Sequence, residues 1–422
     1  MTTSTLPLEG VVEDSDIPLG YTVREFCQCG YTSKNLSFSV IALSSDIPRV
    51  ALLIETTRTY AREMLAGVRE YLAANSPWST FIELRALDST PPPWLSGWQG
   101  DGILTRTFSP EMAAVIADTG LPAVELRSTR LRGDRPFVGM DNRLIGQAVA
   151  EHFVNRGYRH FAVYGLSTEA FFEERVRNFA KAVEETGRPC HRLPENPEFD
   201  WEGIQGALIE HLRALPKPVG IFAANDQLGI YLLDACQRAG LSVPEEVAVV
   251  GCENEETLCQ FATPELTSVR FDGRSVGRQA AAMLDRLMRG ESLERETVLV
   301  APRGIVVRQS SDDYVITDLL IARAARLIRE QATTGLNVND LCGALHVSRS
   351  TLERRMKAAL KRTPKEEILR IRFREVERLL TDTDLTIETI ASQSGFAHSH
   401  YLQAVFKERR GMTPGQFRKH PR

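Results

Sequence analysis

The strongest constraint in this sequence is an alternation that starts near residue 49, runs for about 260 residues and then stops. Short apolar runs recur at Arg49–Ile54, Gly102–Thr105, Pro122–Leu126, Phe161–Tyr164, Val219–Ala223 and Val247–Val250. Amphipathic stretches separate them at Arg58–Ala74, Pro110–Asp118, Asn142–Arg156, Glu169–Thr186, Trp201–Leu215, Gln227–Ala239 and Gly273–Met288. Continuous apolar runs suit strands buried on both faces, and strands alternating with helices build α/β domains with parallel sheet. Residues 47–308 are therefore expected to form an α/β domain. Residues 1–46 carry weak periodicity and are expected to be a poorly ordered extension. The polar stretch from Arg308 on reads as a linker over 309–316, and residues 317–422 are helical in period, with no strand-like run.

Charge divides at the same place. From Asp313 onward there are 20 Lys and Arg against 13 Asp and Glu, leaving 31 against 42 in the rest of the chain. A basic end on an acidic body is the asymmetry expected when one domain meets a polyanion and the other does not. The seven cysteines form no framework, and Cys27-x-Cys29 without a second cluster is a poor zinc site, so free thiols and no metal are expected. The eight histidines are dispersed. No apolar run reaches membrane-spanning length, and the first residues lack the basic-then-apolar pattern of a signal peptide. A cytoplasmic protein is expected.

The basic end repeats one plan. Asn337 with Asp340 opens a helix over Val338–Leu345; His346-Val347 turn, Ser348 caps again, and Arg349–Leu360 follows. Later Thr386 opens Ile387–Gln393, Gly395 turns, and His398–Arg409 follows. Between them Thr363-Pro364-Lys365-Glu366 is a capping box with Pro at the first helical position, opening a connecting helix to about Leu380. Helix, short turn, helix is the unit whose second helix enters the major groove of DNA.

Within that plan, Ile387-x-x-Ile390-Ala391-x-x-x-Gly395-Phe396, Phe406-Lys407 and Gly411-x-Thr413-Pro414-x-x-Phe417-Arg418 closely resemble the AraC/XylS-type signature. The resemblance implies two recognition helices reading successive major-groove segments. By position it makes Ser350, Glu353 and Arg354 base-facing in the first and His400, Gln403 and Ala404 in the second. Arg354 suits guanine, Gln403 adenine and Glu353 a cytosine amine. Ser348, Arg349, Arg355, Lys357, Lys407, Arg409 and Arg410 are expected on phosphates, and Ile387, Ile390, Phe396, Leu402 and Phe406 in the core.

In the α/β domain, Val219–Gly229, Val249-Val250-Gly251 with Glu253-Asn254-Glu255-Glu256, and Pro264-x-Leu266-Thr267-Ser268-Val269 resemble the periplasmic-binding-protein-like sensor of LacI-type regulators. That implies two lobes with a small polar ligand, a sugar, between them. Ligands of such folds sit beyond the carboxyl ends of the strands. Polyols favour bidentate Asp, Asn and Arg with an aromatic face against C–H groups. The candidates are Glu55, Arg58, Tyr60, Asp101, Asp141, Arg175, Trp201, Asn225, Asp226, Glu253 and Asp272. Several have plainer roles open to them: Asp226 can cap a helix, Trp201 can be core, and Glu55 can pair with Arg58.

A sensor followed by an AraC-type domain, with Val347-Ser348-Arg349-Ser350-x-Leu352-Glu353-x-Arg355, is similar to the xylose-operon regulator family. The resemblance implies a homodimer that activates through RNA polymerase, with a pentose such as xylose as effector and repression as the main alternative. Glu55-Thr56-Thr57-Arg58 and Cys252-Glu253 depart from what a xylose sensor would carry. An enzyme is disfavoured, with no Gly-rich phosphate loop, no G-x-S-x-G elbow and no metal-spaced histidines; no cofactor is expected. A transport receptor should have a signal peptide and no basic helical end, and a third reading is a DNA binder whose sensor has lost its ligand.

Overall fold

The computed structural model describes residues 47–75, 77–86, 88–127, 130–195, 201–312, 316 and 318–419. The expected N-terminal extension lies outside them. The α/β part runs β1 (Arg49–Leu53), α1 (Thr59–Ala74), β2 (Ser79–Ile82), β3 (Gly102–Thr105), α2 (Pro110–Asp118), β4 (Ala123–Glu125), β5 (Phe137–Met140), α3 (Asn142–Asn155), β6 (His160–Tyr164), α4 (Ala170–Glu184), β7 (Cys190–Arg192), α5 (Trp201–Ala214), β8 (Val219–Ala223), α6 (Asp226–Ala239), β9 (Val247–Glu253), α7 (Glu256–Phe261), β10 (Thr267–Arg270), α8 (Gly273–Met288), β11 (Thr297–Val300) and β12 (Ile305–Val306). Helices α9 (Leu319–Gln331), α10 (Val338–Leu345), α11 (Arg349–Leu360), α12 (Pro364–Asp382), α13 (Ile387–Gln393), α14 (Ser399–Arg410) and α15 (Pro414–Lys419) complete it.

The strands sort into two sheets, ordered β11-β5-β4-β3-β1-β2 and β12-β10-β9-β8-β6-β7. Pairing is parallel throughout except where β12 runs antiparallel to β10. Each sheet belongs to one lobe, and the chain crosses between lobes three times: from β5 into α3, from β10 into α8, and from β11 into β12. Side chains satisfy helix starts at two of these crossings. Asp141 accepts the Leu144 N–H at 3.0 Å, and Asp272 accepts the Ser275 N–H at 3.0 Å. Pattern reading fell short at β2, β5, β7, β10, β11 and β12, the last strands of each lobe and the sheet edges among them. β2 is exposed on both faces, so no apolar run marks it, and β7 and β12 are too short to show a period.

Helices α1 and α8 lie backbone against backbone in the first lobe. A Cβ on Gly277 would stand 2.0 Å from the Met64 carbonyl oxygen, and one on Gly67 2.1 Å from that of Arg274. Only glycine permits this approach. It holds the starts of both helices, which bear on the hinge, in one place.

The expected linker divides. Gln309–Ser311 is a short 3-10 turn built into the second lobe: Ser310 Oγ donates to Val249 O at 2.6 Å and accepts from Thr267 N–H at 2.8 Å. Buried Arg308 donates to Leu266 O and Asn254 Oδ1, both at 2.9 Å. The composition is polar because these hydroxyls and this guanidinium satisfy buried backbone groups, not because the segment faces water. Residues 313–315 and 317 lie outside the described residues.

Two small cores carry the helical end. One gathers Ile321, Ile328, Leu341, Leu352 and Met356, the other Phe373, Val376, Ile390, Phe396, Leu402 and Phe406. Both capping boxes form, at Asn337–Asp340 and Thr363–Glu366. No helix among the described residues is long and apolar enough to cross a membrane.

Candidate functional site

The rule that ligands collect beyond the carboxyl ends of strands leads to a cavity of about 50 Å³ between the lobes. It is lined by Tyr60, Arg106, Leu126, Arg127, Phe137, Gly139, Met140, Asn142, Phe171, Arg175, Glu253 and Phe271. Arg106 follows β3, Arg127 follows β4, Phe271 follows β10, and Glu253 ends β9. Glu253 adopts φ +107°, a region costly for a residue with a Cβ. Its carboxylate lies 3.4 Å from Arg175 and 3.5 Å from Arg58.

Arginines dominate this wall. Arg106 pairs with buried Glu55, and Arg127 with Glu169 of the other lobe at 2.6 Å. Arg175 donates to Ala224 O at 2.7 Å and Asn142 Oδ1 at 3.0 Å. Aromatic faces cover the guanidinium groups: Arg106 lies 5.4 Å from the Tyr60 ring, Arg127 4.9 Å from Phe108, and Arg175 5.0 Å from both Phe171 and Phe271. Burial, aided by neighbouring Arg127 and Arg175, pushes Arg106 down to about 10. Burial also raises the Tyr60 phenol and the Glu125 carboxyl.

Of the expected ligand residues, Tyr60, Arg175 and Glu253 meet at the cavity, with Glu55 and Arg58 one contact behind. Glu55 does not pair with Arg58; each has a separate partner. Five others are placed elsewhere. Asp101 accepts the Arg49 N–H at 2.7 Å, tying β1 to β3 at their amino ends, opposite the cavity. Asp141 and Asp272 cap α3 and α8. Asn225, not Asp226, caps α6, accepting from Leu228 N–H at 2.8 Å. Asp226 is buried and spent on its own network, accepting from Ser268 Oγ at 2.5 Å and Glu255 N–H at 2.7 Å. Burial lifts its carboxyl to about 7 against the pull of those bonds. The Trp201 side chain lies outside what is described. The missed residues are Arg106, Arg127, Asn142, Phe171 and Phe271. Arg106 and Arg127 follow strands, so the rule that selected Glu55 would have found them had it been applied to β3 and β4.

Contacts across the cleft hold the lobes together here. Besides Arg127–Glu169 they include Arg130–Glu173 at 2.8 Å, and Thr59, whose N–H donates to Glu255 at 2.8 Å. The second lobe reaches the helical end through Asp312, which accepts from Arg370 and Arg374 of α12, and through Glu245 paired with Arg329 of α9.

On the helical end, Arg349, Ser350, Arg354, His400, Gln403, Ala404 and Lys407 are exposed on α11 and α14, the second helices of the two helix-turn-helix units. Ser348 is exposed but caps α11, accepting from Thr351 N–H at 3.3 Å. Arg349 and Glu353 pair with each other at 2.9 Å. Two of the expected phosphate contacts have acidic partners within the chain: Arg355 donates to Asp318 at 2.7 Å and Arg410 to Glu377 at 2.6 Å, and both arginines stay partly exposed. His346 turns the first unit at φ +51° and Gly395 the second at φ +76°.

Comparison with known proteins agrees with both halves. Residues 150–311 match a periplasmic binding protein-like domain and residues 341–420 a helix-turn-helix domain. The xylose operon regulatory protein of Escherichia coli strain K12 is 31% identical over 384 residues, which cover 88% of this chain and 96% of that protein. Its Haemophilus influenzae counterpart is 29% identical, with 88% and 98% covered. A solved structure described as the xylose-binding transcription activator xylR superimposes with a TM-score of 0.75 at 29% identity, covering 89% of this chain and 98% of that one. The chain therefore belongs to the xylose operon regulatory protein family, transcription regulators that join a periplasmic-binding-protein-like domain to a C-terminal AraC-type helix-turn-helix domain.

Proposed function

We propose that this protein is a cytoplasmic, homodimeric activator of a sugar-utilisation operon, controlled by a small polyhydroxylated effector bound between the lobes. The observation that carries the reading is the cleft: Arg106, Arg127, Arg175 and Glu253 converge with aromatic rings at the carboxyl ends of strands from both lobes. The names of the relatives support a sugar or sugar-derived effector, with xylose as the reference compound. The cavity of about 50 Å³ has room for a few waters only, so a sugar enters an opened cleft and is then enclosed. An effector shifts such an equilibrium only by its different affinity for the two forms. The ties through Asp312 and Arg329 are the route by which lobe movement reaches the helical end, which spans residues 317–422 in this reading. RNA polymerase is the expected partner of the activator.

Arg354 and Gln403 are assigned to base edges, and Lys357 and Lys407 to phosphates. In gel-shift titrations against DNA upstream of the adjacent operon, Arg354→Ala should cost about 1–3 kcal/mol and relax specificity at one position. Lys407→Ala should weaken all sequences alike and flatten the salt dependence. Affinity insensitive to both salt and these substitutions would overturn the DNA assignment. Thermal melting with pentoses, hexoses and sugar acids tests the sensor: no shift with any of them would sink it.

A further inference from the structure

The cleft presents far more hydrogen-bond donors than acceptors. Three guanidinium groups from three separate segments line one small cavity, each with at most 10% of its side chain exposed. Guanidinium donates and never accepts. The Nε atoms of Arg106 and Arg127 are buried with no hydrogen-bond partner, as are the carboxylate oxygens of Glu55, which faces Arg106 as an ion pair behind the cavity wall. On the acceptor side Glu253 is the lining carboxylate, and Asn142 Oδ1 is already taken by Arg175. A neutral sugar fits this poorly, because each hydroxyl that accepts a bond also has a proton to place. An anionic group accepts from several donors and places none.

The charges point the same way. Glu55 and Glu169 each answer one arginine, but Glu253 is divided between Arg58 at 3.5 Å and Arg175 at 3.4 Å. Both distances are long beside the roughly 2.7–2.9 Å of a charge-assisted bond. Glu125 accepts from the Thr107 and Arg127 N–H groups, and burial favours its protonated form. The three guanidinium groups are buried, so cation repulsion in the cleft is weakly screened. Buried ion pairs alone account for the positions of Arg106 and Arg127; they leave the idle donors unexplained.

We propose that the effector of this chain is an acidic polyol, bearing a carboxylate or phosphate group that Arg106, Arg127 and Arg175 receive, and not a neutral sugar. The inference rests on the cleft being the effector site. The test is calorimetric titration of the full-length protein with matched compounds: D-xylose against D-xylonate, and D-glucose against D-glucuronate and D-glucose 6-phosphate. At least one acid should bind about tenfold or more tighter than its neutral counterpart, a difference of about 1.4 kcal/mol. The preference should shrink with salt, and the glucuronate and phosphate arms tell carboxylate from phosphate. The Glu55→Gln/Arg106→Gln double variant removes both charges of one pair and leaves neutral amides that can bond to each other. It should melt near the wild type yet lose most of the acid preference. A neutral sugar binding as tightly as its acid overturns the inference and leaves the sensor reading standing. No binding by any compound overturns both.

Discussion

Replacing Gly277 by alanine sets two known effects against each other. Alanine in a helix interior is favoured over glycine by about 0.8–1 kcal/mol. The new methyl, however, would stand 2.0 Å from the Met64 carbonyl oxygen and 2.8 Å from its carbon. Those are backbone atoms of α1, so no side chain can swing aside and the two helices must separate. Overpacking typically costs about 1–3 kcal/mol, and a rigid backbone contact belongs at the upper end. The net should be a loss of about 1–2 kcal/mol, which in a domain of this size lowers Tm by roughly 2–8 °C. Gly206 is the control: it is exposed in α5, and a Cβ there would meet nothing within 4 Å. Gly206→Ala should raise Tm by about 2–4 °C through propensity alone. Differential scanning calorimetry of the two variants beside the wild type decides it. If Gly277→Ala melts at or above the wild type, the close approach of α1 and α8 is wrong. Spreading these helices should also weaken effector binding, since Tyr60 on α1 and Phe271 just before α8 meet ring to ring at 5.0 Å in the cavity wall.

Asp226 provides a pH signature. Its carboxyl is raised to about 7 in the fold against an ordinary value near 3.8, so between those values the folded state holds a proton that the unfolded chain has lost. Stability contributed by this group is therefore present below about pH 4 and is lost as pH rises to about 7. The Tm of the wild type should fall relative to Asp226→Asn across that window and run parallel above it; a constant gap would show that the group does not titrate there. Asp312→Asn removes the carboxylate shared by Arg370 and Arg374, a partly exposed pair of contacts worth about 1 kcal/mol. Calorimetry should show the helical end melting earlier than in the wild type and apart from the sensor, and an unchanged single profile would argue against this tie.

The division between what was and was not legible follows interaction range. Helices were readable because their signals are local: α8 falls on Gly273–Met288, and the boxes at Asn337–Asp340 and Thr363–Glu366 close as their spacing requires. Strands buried on both faces, such as β1 and β8, announced themselves as apolar runs, while β2, exposed on both faces, did not. Site residues were harder because one residue type serves two ends. An Asp or Asn just after a strand is placed equally well to touch a ligand or to satisfy the next helix, and Asp141, Asn225 and Asp272 took the second role.

Residue pattern alone thus settles that an α/β domain precedes paired helix-turn-helix units on a basic end, because period, caps and charge are properties of neighbouring residues. Which charges meet was decided only in three dimensions. Glu55 finds Arg106 rather than nearby Arg58, Arg355 pairs with Asp318 of a neighbouring helix start, and Arg127 crosses the cleft to Glu169. Ion pairs depend on distance in space and on burial, and neither can be read from separation along the chain.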